Sequence, residues 1–514
     1  MSDTAQSQEP VFAFLMDPAT HGGAAIKRVD THAAVVFLAA ERALKLKRAV
    51  QFPFLDFSTL EKRKAACEAE IEVNSPYAPE LYRGVVAITR EAGGRLTIGG
   101  KGEPVEYAVD MRRFDETQTL DRLAAEGRID AALADAIGRA VATAHARTST
   151  VPSEPWIAAL GSYIAEHEEA FQAMPTLFDP AGNERLARSM RDAFARIAPL
   201  LAERGRGGLV RRIHGDLHLG NIALIDGRPM LFDAIEFSDI IASGDLLYDL
   251  AFVLMDLTER GLGAAANIVF NRYLADTRRD DDLDALAALP LYLSMRAAIR
   301  AKVAAARLAQ ADEAKRPSIA RNARAYFDWA LRFITPAAPT LIAVGGLSGT
   351  GKSALARMLA PAIAPAPGAV VLRSDVERKA LFGKAETESL PAQAYSPAVT
   401  LRIYCAIADK ARRALAAGHS AIVDAVFATP GEREGVEKSA AALGVPFHGL
   451  FLVADLDTRL ARIGGRRGDA SDADAAIARD QERYELGTLG WTHVDASGTP
   501  EETLARAKAA LNQR

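Results

Sequence analysis

The sequence predicts two domains in one chain, an α+β fold over residues 1–335 and an α/β fold with a parallel sheet over residues 340–514. Three observations predict this. At 514 residues the chain exceeds what one hydrophobic core ordinarily serves. Strand-like runs fill residues 33–114 of the first part, alanine-rich helical patterns run through 120–203, and helices resume from 244 to about 333. Finally, two prolines within 335–339 stop the last helix. The uninterrupted apolar run that follows, Leu341-Ile342-Ala343-Val344, suits a strand buried on both faces.

Composition narrows the function classes. Apolar residues make up 49% and charged residues 25%, ordinary for a soluble globular protein. A net charge of −4 provides no global basic field for nucleic acid. Cys67 and Cys405 form no disulfide framework and fit a reducing compartment. Residues 1–10 lack the basic and apolar regions of a signal peptide, and no apolar run reaches the length of a membrane span. The expectation is a cytoplasmic protein with no membrane partner.

Taken in order, residues 33–40 and 43–50 read as two strands joined tightly at Glu41-Arg42. Lys45 and Lys47 share a face of the second strand, because side chains repeat every two residues. A capping residue after Asp56-Phe57 opens a helical pattern over 59–74 that carries Glu68, Glu70 and Glu72. Residues 85–89 and 96–98 read as strands about Gly93-Gly94, and 107–114 as a further strand. Downstream, Ile213-His214-Gly215-Asp216-Leu217-His218-Leu219-Gly220-Asn221 is an apolar strand end running into a polar loop. An apolar hairpin follows and ends in Met230-Leu231-Phe232-Asp233. Asp216 and Asn221 can face one small volume from a single loop, and Asp233 can enter it. Phosphoryl transfer needs this set: a carboxylate to accept the proton of an attacking hydroxyl, and two oxygen ligands for Mg²⁺.

The spacing from Asp216 to Asn221 is that of the protein-kinase catalytic loop H-R-D-x-x-x-x-N, with the D-F-G acid at a comparable distance beyond. Gly215 replaces the Arg, and Phe232-Asp233-Ala234 replaces D-F-G. With these departures the pattern H-G-D-x-H-x-x-N resembles the aminoglycoside phosphotransferase branch of the kinase-like fold, over about residues 20–335. The resemblance implies a bilobal domain with Asp216 as catalytic Asp and Asn221 and Asp233 as metal ligands. It also implies a strand lysine on the ATP phosphates, paired with a Glu of the next helix. Leu44-Lys45-Leu46-Lys47 overlays V-A-I-K best with Lys47 in that role, and Glu70 is the matching choice; Lys45, Glu68 and Glu72 stay open. By the same analogy residues 110–113 form the hinge at the adenine, and Asp249 braces the catalytic loop.

In the second domain, Gly346-Leu347-Ser348-Gly349-Thr350-Gly351-Lys352-Ser353 fits G-x-x-x-x-G-K-[ST], with a strand before it and a helix after it. Gly346, Ser348, Gly349, Thr350 and Gly351 would let backbone N–H groups close round a phosphate at a helix N-terminus. Lys352 would reach the β- and γ-phosphates and Ser353 the Mg²⁺. Further strands are expected at 369–372, 421–424 and 449–453. With Arg373-Ser374-Asp375-Val376-Glu377-Arg378-Lys379 after the second strand, the chain resembles P-loop kinases of small molecules and nucleic-acid ends, such as gluconate, chloramphenicol and polynucleotide kinases. That resemblance, from 340 onward, implies Asp375 facing the acceptor hydroxyl and Arg378 binding substrate or phosphate. Asp424 would hold the metal through water. Arg459, Arg462, Arg466 and Arg467 would belong to a lid that clamps the transferring phosphate, and 493–499 would be the last strand and adenine loop.

The expected function is a bifunctional ATP-dependent phosphotransferase with two ATP and Mg²⁺ sites, each acting on a hydroxyl of a small molecule, a sugar or a nucleic-acid end. Asp239, Asp245 and Asp256 lie where an acidic cleft for a polycation would form, but a shared fold does not fix the acceptor. Two other readings compete. In one, the P-loop domain is a nucleotide-responsive switch and only the N-terminal domain does chemistry. In the other, the N-terminal domain presents a substrate to a C-terminal polynucleotide-type kinase.

Overall fold

A computed structural model describes residues 7–52, 55–309, 311–465 and 470–512. The chain divides into two compact units, residues 1–163 with 198–256, and residues 164–197 with 257–514.

The first unit opens with strands β1 (Ile26–Asp30), β2 (Ala34–Ala39) and β3 (Arg42–Lys47). The short pair β4 (Gln51–Phe52) and β5 (Leu55–Asp56) follows, and then β6 (Tyr82–Arg90), β7 (Leu96–Ile98) and β8 (Glu103–Arg112). Six of these form an antiparallel sheet in the order β1-β2-β3-β8-β6-β7. Alternation along β3 decides what each face meets. Leu44 and Leu46 pack with Val11, Phe12 and Leu15 of the helix Glu9–Met16. Ala43, Lys45 and Lys47 face the other way, where the helix Leu60–Asn74 brings Cys67 and Ile71 against the sheet. Thr59 caps that helix by accepting the Lys62 N–H at 3.3 Å. The helix Glu9–Met16 and β1 have no counterpart in the sequence reading.

The rest of this unit frames one loop. Strand β9 (Val210–Arg212) enters it, and β10 (Ile222–Ile225) with β11 (Arg228–Leu231) forms the hairpin that leaves it. Asp226 and Gly227 turn that hairpin at φ 49° and 76°, the left-handed pair that a two-residue turn requires. Strand β12 (Ser243–Asp245) returns to pair with β9.

The second unit joins long helices to a five-stranded parallel sheet. Its strands are β13 (Leu341–Gly346), β14 (Val370–Arg373), β15 (Ala421–Asp424), β16 (Phe447–Val453) and β17 (Thr492–Asp495), in the order β14-β15-β13-β16-β17. Ile342, Val344, Ile422, Leu450, Leu452 and Val494 form its core with Leu355 and Leu359 of the helix Lys352–Leu359. Beside the edge strand β14 lies the helix Gly263–Thr277. Asn267 and Asn271 each donate to the Ala369 carbonyl at 3.1 Å, and Asn271 Oδ1 accepts the Val371 N–H at 2.7 Å. The edge is therefore closed by side-chain amides rather than left open for another strand. Among the described residues no helix is long and apolar enough to cross a membrane.

Candidate active sites

Asp249 holds the N-terminal catalytic loop from beneath. Its carboxylate is fully buried and accepts the N–H groups of His214 and Gly215, both at 3.0 Å, with His145 Nε2 at 3.2 Å. Asp256 accepts the Leu219 N–H at 3.0 Å. At Gly215 φ is 83°, and a Cβ would lie 3.2 Å from both Ile235 Cδ1 and the Ile241 carbonyl. The arginine of the protein-kinase loop has no room there. Asn221 folds back on the loop, donating from Nδ2 to the Asp216 carbonyl at 2.9 Å and to Asp216 Oδ2 at 3.1 Å. The Asp216 side chain is half-exposed and opens to the cleft, with His218 Nε2 at 3.5 Å.

Asp233 stands at the end of the hairpin in the left-handed region, φ 61°. A non-glycine residue there costs about 1–3 kcal/mol and is held only by its surroundings. Tyr82 Oη accepts its N–H at 3.1 Å. The next residue, Ala234, is clamped on both sides by Asn74: its N–H donates to Oδ1 at 2.7 Å, and Nδ2 donates to its carbonyl at 3.3 Å. Thus the last residue of the helix Leu60–Asn74 fixes the segment that carries Asp233.

Two lysines and three acids complete the cleft. Lys45 Nζ lies 2.8 Å from Glu70 Oε1 and 2.5 Å from Asp233 Oδ1. Lys47 Nζ lies 2.5 Å from Glu70 Oε2 and pairs with Glu236. Burial works against the Lys45 charge, but Asp233 and Glu70 outweigh it and raise its pKa well above the ordinary value. Burial likewise opposes ionisation of Asp233, and Lys45 offsets this, so its carboxyl stays below the usual range. Glu70 is the acid at the strand lysines; Glu68 pairs with Lys64 on the exposed side of the helix. Both lysines reach Glu70, and only Lys45 also reaches Asp233. Glu236 escaped the sequence reading, although an acid between Ile235 and Phe237 is a weak signal of a buried ion pair. Of the three acids proposed for a cleft, Asp245 is buried against Arg204 and Asp256 is spent on Leu219, which leaves Asp239 exposed beside Arg212.

The C-terminal site lies at the carboxyl ends of β13, β14 and β15, where parallel sheets bind ligands. Gly349 and Gly351 adopt φ 89° and 94°, and a Cβ on Gly349 would lie 2.7 Å from the Arg459 carbonyl. Only glycine closes this loop. Lys352 opens the following helix, its Nζ 3.2 Å from the Leu347 carbonyl. The Ser353 hydroxyl donates to Asp424 Oδ2 at 2.5 Å, and Arg373 Nε reaches the same oxygen at 3.3 Å. Thr350 donates its hydroxyl to Leu347, and the Ser348 N–H donates to Gln481 Oε1 at 2.7 Å. Asp375 lies in the first turn of the helix Ser374–Leu381, past its cap. Burial pushes its carboxyl up and Asp424 adds to this, while Lys352 and Arg373 pull the other way. Arg378, on the same helix, is buried. Lys352, Ser353, Asp375, Arg378 and Asp424 line one cavity of about 520 Å³.

Of the four arginines expected in a lid, Arg459 and Arg462 lie among the described residues. Arg459 is buried, and its Nε donates to the Ser348 carbonyl at 2.8 Å while the rest of the guanidinium meets Ala478 and Glu482. These contacts tie Arg459 to the glycine loop. Arg462 donates to the carbonyls of Thr350 and Gly498. Arg466 and Arg467 lie outside the described residues.

The class that fold and sites define is a pair of kinase-type domains. The phosphotransferase enzyme family matches residues 85–289, and an AAA domain family matches residues 341–486. The chain belongs to the same family as an uncharacterised protein of Mycobacterium tuberculosis (strain ATCC 25618 / H37Rv). The two are 31% identical over 486 residues, 93% of this chain and 94% of that one. An uncharacterised protein of Mycobacterium bovis matches with the same identity and coverage. Among solved structures, a choline/ethanolamine kinase family protein from Mesorhizobium loti covers 64% of this chain and 98% of its own, at 15% identity and TM-score 0.37. A gluconokinase from Sinorhizobium meliloti 1021 covers 34% of this chain and 93% of its own, at 22% identity and TM-score 0.25. The families place the chain among phosphate-transferring enzymes, with an N-terminal kinase-like domain and a C-terminal P-loop kinase domain.

Proposed function

We propose that the chain is a bifunctional ATP-dependent phosphotransferase in which residues 1–335 and 340–514 each carry one Mg²⁺-dependent site acting on a hydroxyl acceptor. The observation that carries the N-terminal half is Lys45 held between Glu70 and Asp233, across the cleft from the loop of Asp216 and Asn221. We assign the phosphate contact to Lys45, in place of Lys47, because it alone joins the helix acid to the metal-side acid. Asp233 and Asn221, and in the second site Ser353 with Asp424, are hard oxygen donors, the kind Mg²⁺ takes alongside phosphate oxygens. When bound, Mg²⁺ neutralises charge on the transferring phosphoryl group. Asp216 and Asp375 each orient an acceptor hydroxyl and take its proton as its oxygen bonds to the γ-phosphorus and the bond to ADP breaks.

The N-terminal half is tested with Lys352→Ala silencing the other site of the full chain. Asp216→Asn should then lower turnover by about 10²–10⁴-fold, the usual effect of removing a catalytic base, with ATP affinity nearly unchanged. Asp233→Ala should instead weaken the Mg²⁺ dependence of nucleotide binding. Wild-type turnover in Asp216→Asn would sink the assignment.

A further inference from the structure

We infer that Lys410 and Arg272 are positioning residues of the C-terminal site, holding the helix of Asp375 from behind. The segment 263–284 is then part of that site's working unit, although it falls in the stretch matched by the phosphotransferase family. This rests on the kinase reading of the C-terminal site and names the groups that set its acceptor-side geometry.

The helix Ser374–Leu381 has eight residues. A helix this short is not stable alone in water, so its position is set by what it packs on. It starts at the end of the edge strand β14 and runs out into residues 382–391, which carry no helix or strand. Asp375 and Arg378 line the cavity of the site. Glu377, two residues past Asp375, lies about 200° further round the helix and so on the opposite side. There it meets Lys410 of the helix Pro397–Ala416, whose Nζ is 2.7 Å from its Oε2. Lys410 Nζ also lies 3.6 Å from Asp280 Oδ1, at the start of the helix Asp280–Asp284. One turn further along, Arg413 Nη1 donates to Asp284 Oδ2 at 2.8 Å. The segment that leaves the Asp375 helix is tied too. Arg272, on the helix Gly263–Thr277, donates to both carboxylate oxygens of Glu386, at 2.7 and 3.4 Å.

All of these residues lie in one compact unit. Pairs that are partly open to water add little to overall stability. What they fix is direction: Lys410 grips the face opposite Asp375, and Arg272 grips the segment beyond it. A proton acceptor must meet the attacking hydroxyl at hydrogen-bond distance, and a displacement of about 1 Å can cost about 10²-fold in rate. The glycine loop and Lys352 stand on other elements, β13 and the helix Lys352–Leu359, so the nucleotide side does not hang on these ties. Loosening them therefore costs turnover and spares ATP binding.

The experiment uses the full chain carrying Asp216→Asn, so that only the C-terminal site turns over. Labelled ATP is offered with glycerol, gluconate, adenosine and a 5′-hydroxyl oligonucleotide. For the acceptor used best, Lys410→Met and Arg272→Met should each lower kcat by about tenfold or more, with KM for ATP within about twofold and the thermal midpoint unchanged. Glu386→Gln should reproduce Arg272→Met from the other side of the pair, and Lys410→Arg, which keeps the charge, should retain most of the turnover. Unchanged kcat in both Met variants overturns the inference. So does a loss of kcat matched by an equal loss of ATP affinity, because the pairs then support the whole site and not the helix of Asp375.

A second arm needs no turnover. Amide hydrogen exchange is followed in the full chain saturated with a non-hydrolysable ATP analogue. With Lys410→Met and Arg272→Met combined, residues 374–391 should exchange about tenfold faster while the strands of the parallel sheet keep their protection. Unchanged exchange over 374–391 overturns the inference whatever the turnover. Faster exchange there, with no labelled product from any acceptor even before Lys410 and Arg272 are changed, would sink the kinase reading of this domain and leave the tie between the segments standing.

Discussion

Lys45 and Lys47 differ by one turn of strand alternation, and the structure gives them different work. Lys47 is 2% exposed and faces Glu70 and Glu236, with the Phe57 ring 5.4 Å from its Nζ. It is a buried ion pair of the interior. Lys45 opens to the cleft and touches Asp233. Lys45→Met should therefore raise KM for ATP and lower kcat at the N-terminal site by about 10²-fold or more, the scale of a lost transition-state charge contact, with thermal stability little changed. Lys47→Met should do the reverse. It leaves Glu236 and part of Glu70 buried without a cation, which costs about 3–5 kcal/mol. Steady-state kinetics and thermal unfolding of both variants check this, and equal kinetic losses with equal stabilities would count against the division. The motif overlay in the sequence favours Lys47, and nothing local corrects it because both lysines point to the same face. What separates them is Asp233, 188 residues from Lys45. Glu236 and Asn74 were illegible for the same reason, since each acts through a partner far away in the chain. Asp216, Asn221 and the glycine loop were legible because their chemistry demands a fixed local spacing, and local spacing is what a sequence displays.

At the scale of elements, the parallel strands were readable as apolar runs buried on both faces, and all five expected strand positions carry strands in the structure. The cover on their edge was not readable. The helix Gly263–Thr277 lies inside the stretch matched by the phosphotransferase family, yet it closes the edge of the P-loop sheet within one compact unit. Nothing in its alanine-rich sequence announces Asn267 and Asn271 as edge caps, because an amide on a helix face looks the same whether it meets water or a strand. These bonds are buried at Asn267, 2% exposed. Asn267→Ala with Asn271→Ala leaves the Ala369 carbonyl and Val371 N–H without their partners, and each unsatisfied buried group costs about 1–3 kcal/mol. The double variant should lower the denaturant midpoint of this unit without changing either site directly. A fragment cut at 340 should expose β14 and self-associate more readily than the full chain, as open edges do. Unchanged stability of the double variant, with a monomeric fragment, would contradict this account of the edge.

At the scale of the whole molecule, two buried histidines make the second unit acid-sensitive. Burial holds His419 at about 4, with its Nε2 3.0 Å from the Gly368 carbonyl, and holds His167 at about 3, where Lys302 adds to the effect. The unfolded chain takes up protons on these rings near pH 6.5, whereas the folded chain does so only below about 4, so stability falls as pH falls between those values. Each shift corresponds to roughly 3 kcal/mol by pH 4. Denaturant unfolding at pH 7 and pH 5 should show the loss, and His419→Asn should shrink it even though the variant starts less stable. A pH dependence identical to that of the unsubstituted chain would remove His419 from the explanation.

The central claim is that one chain carries two sites that transfer phosphate. The most direct test is transfer of label from ATP to a panel of hydroxyl acceptors by three full-length proteins: unsubstituted, Asp216→Asn and Asp375→Asn. The account predicts two sets of labelled products from the unsubstituted chain, one lost in each variant and the other retained. If Asp216→Asn abolishes every labelled product while Asp375→Asn abolishes none, the P-loop domain is a nucleotide switch on a single N-terminal kinase, and the claim of two sites is wrong.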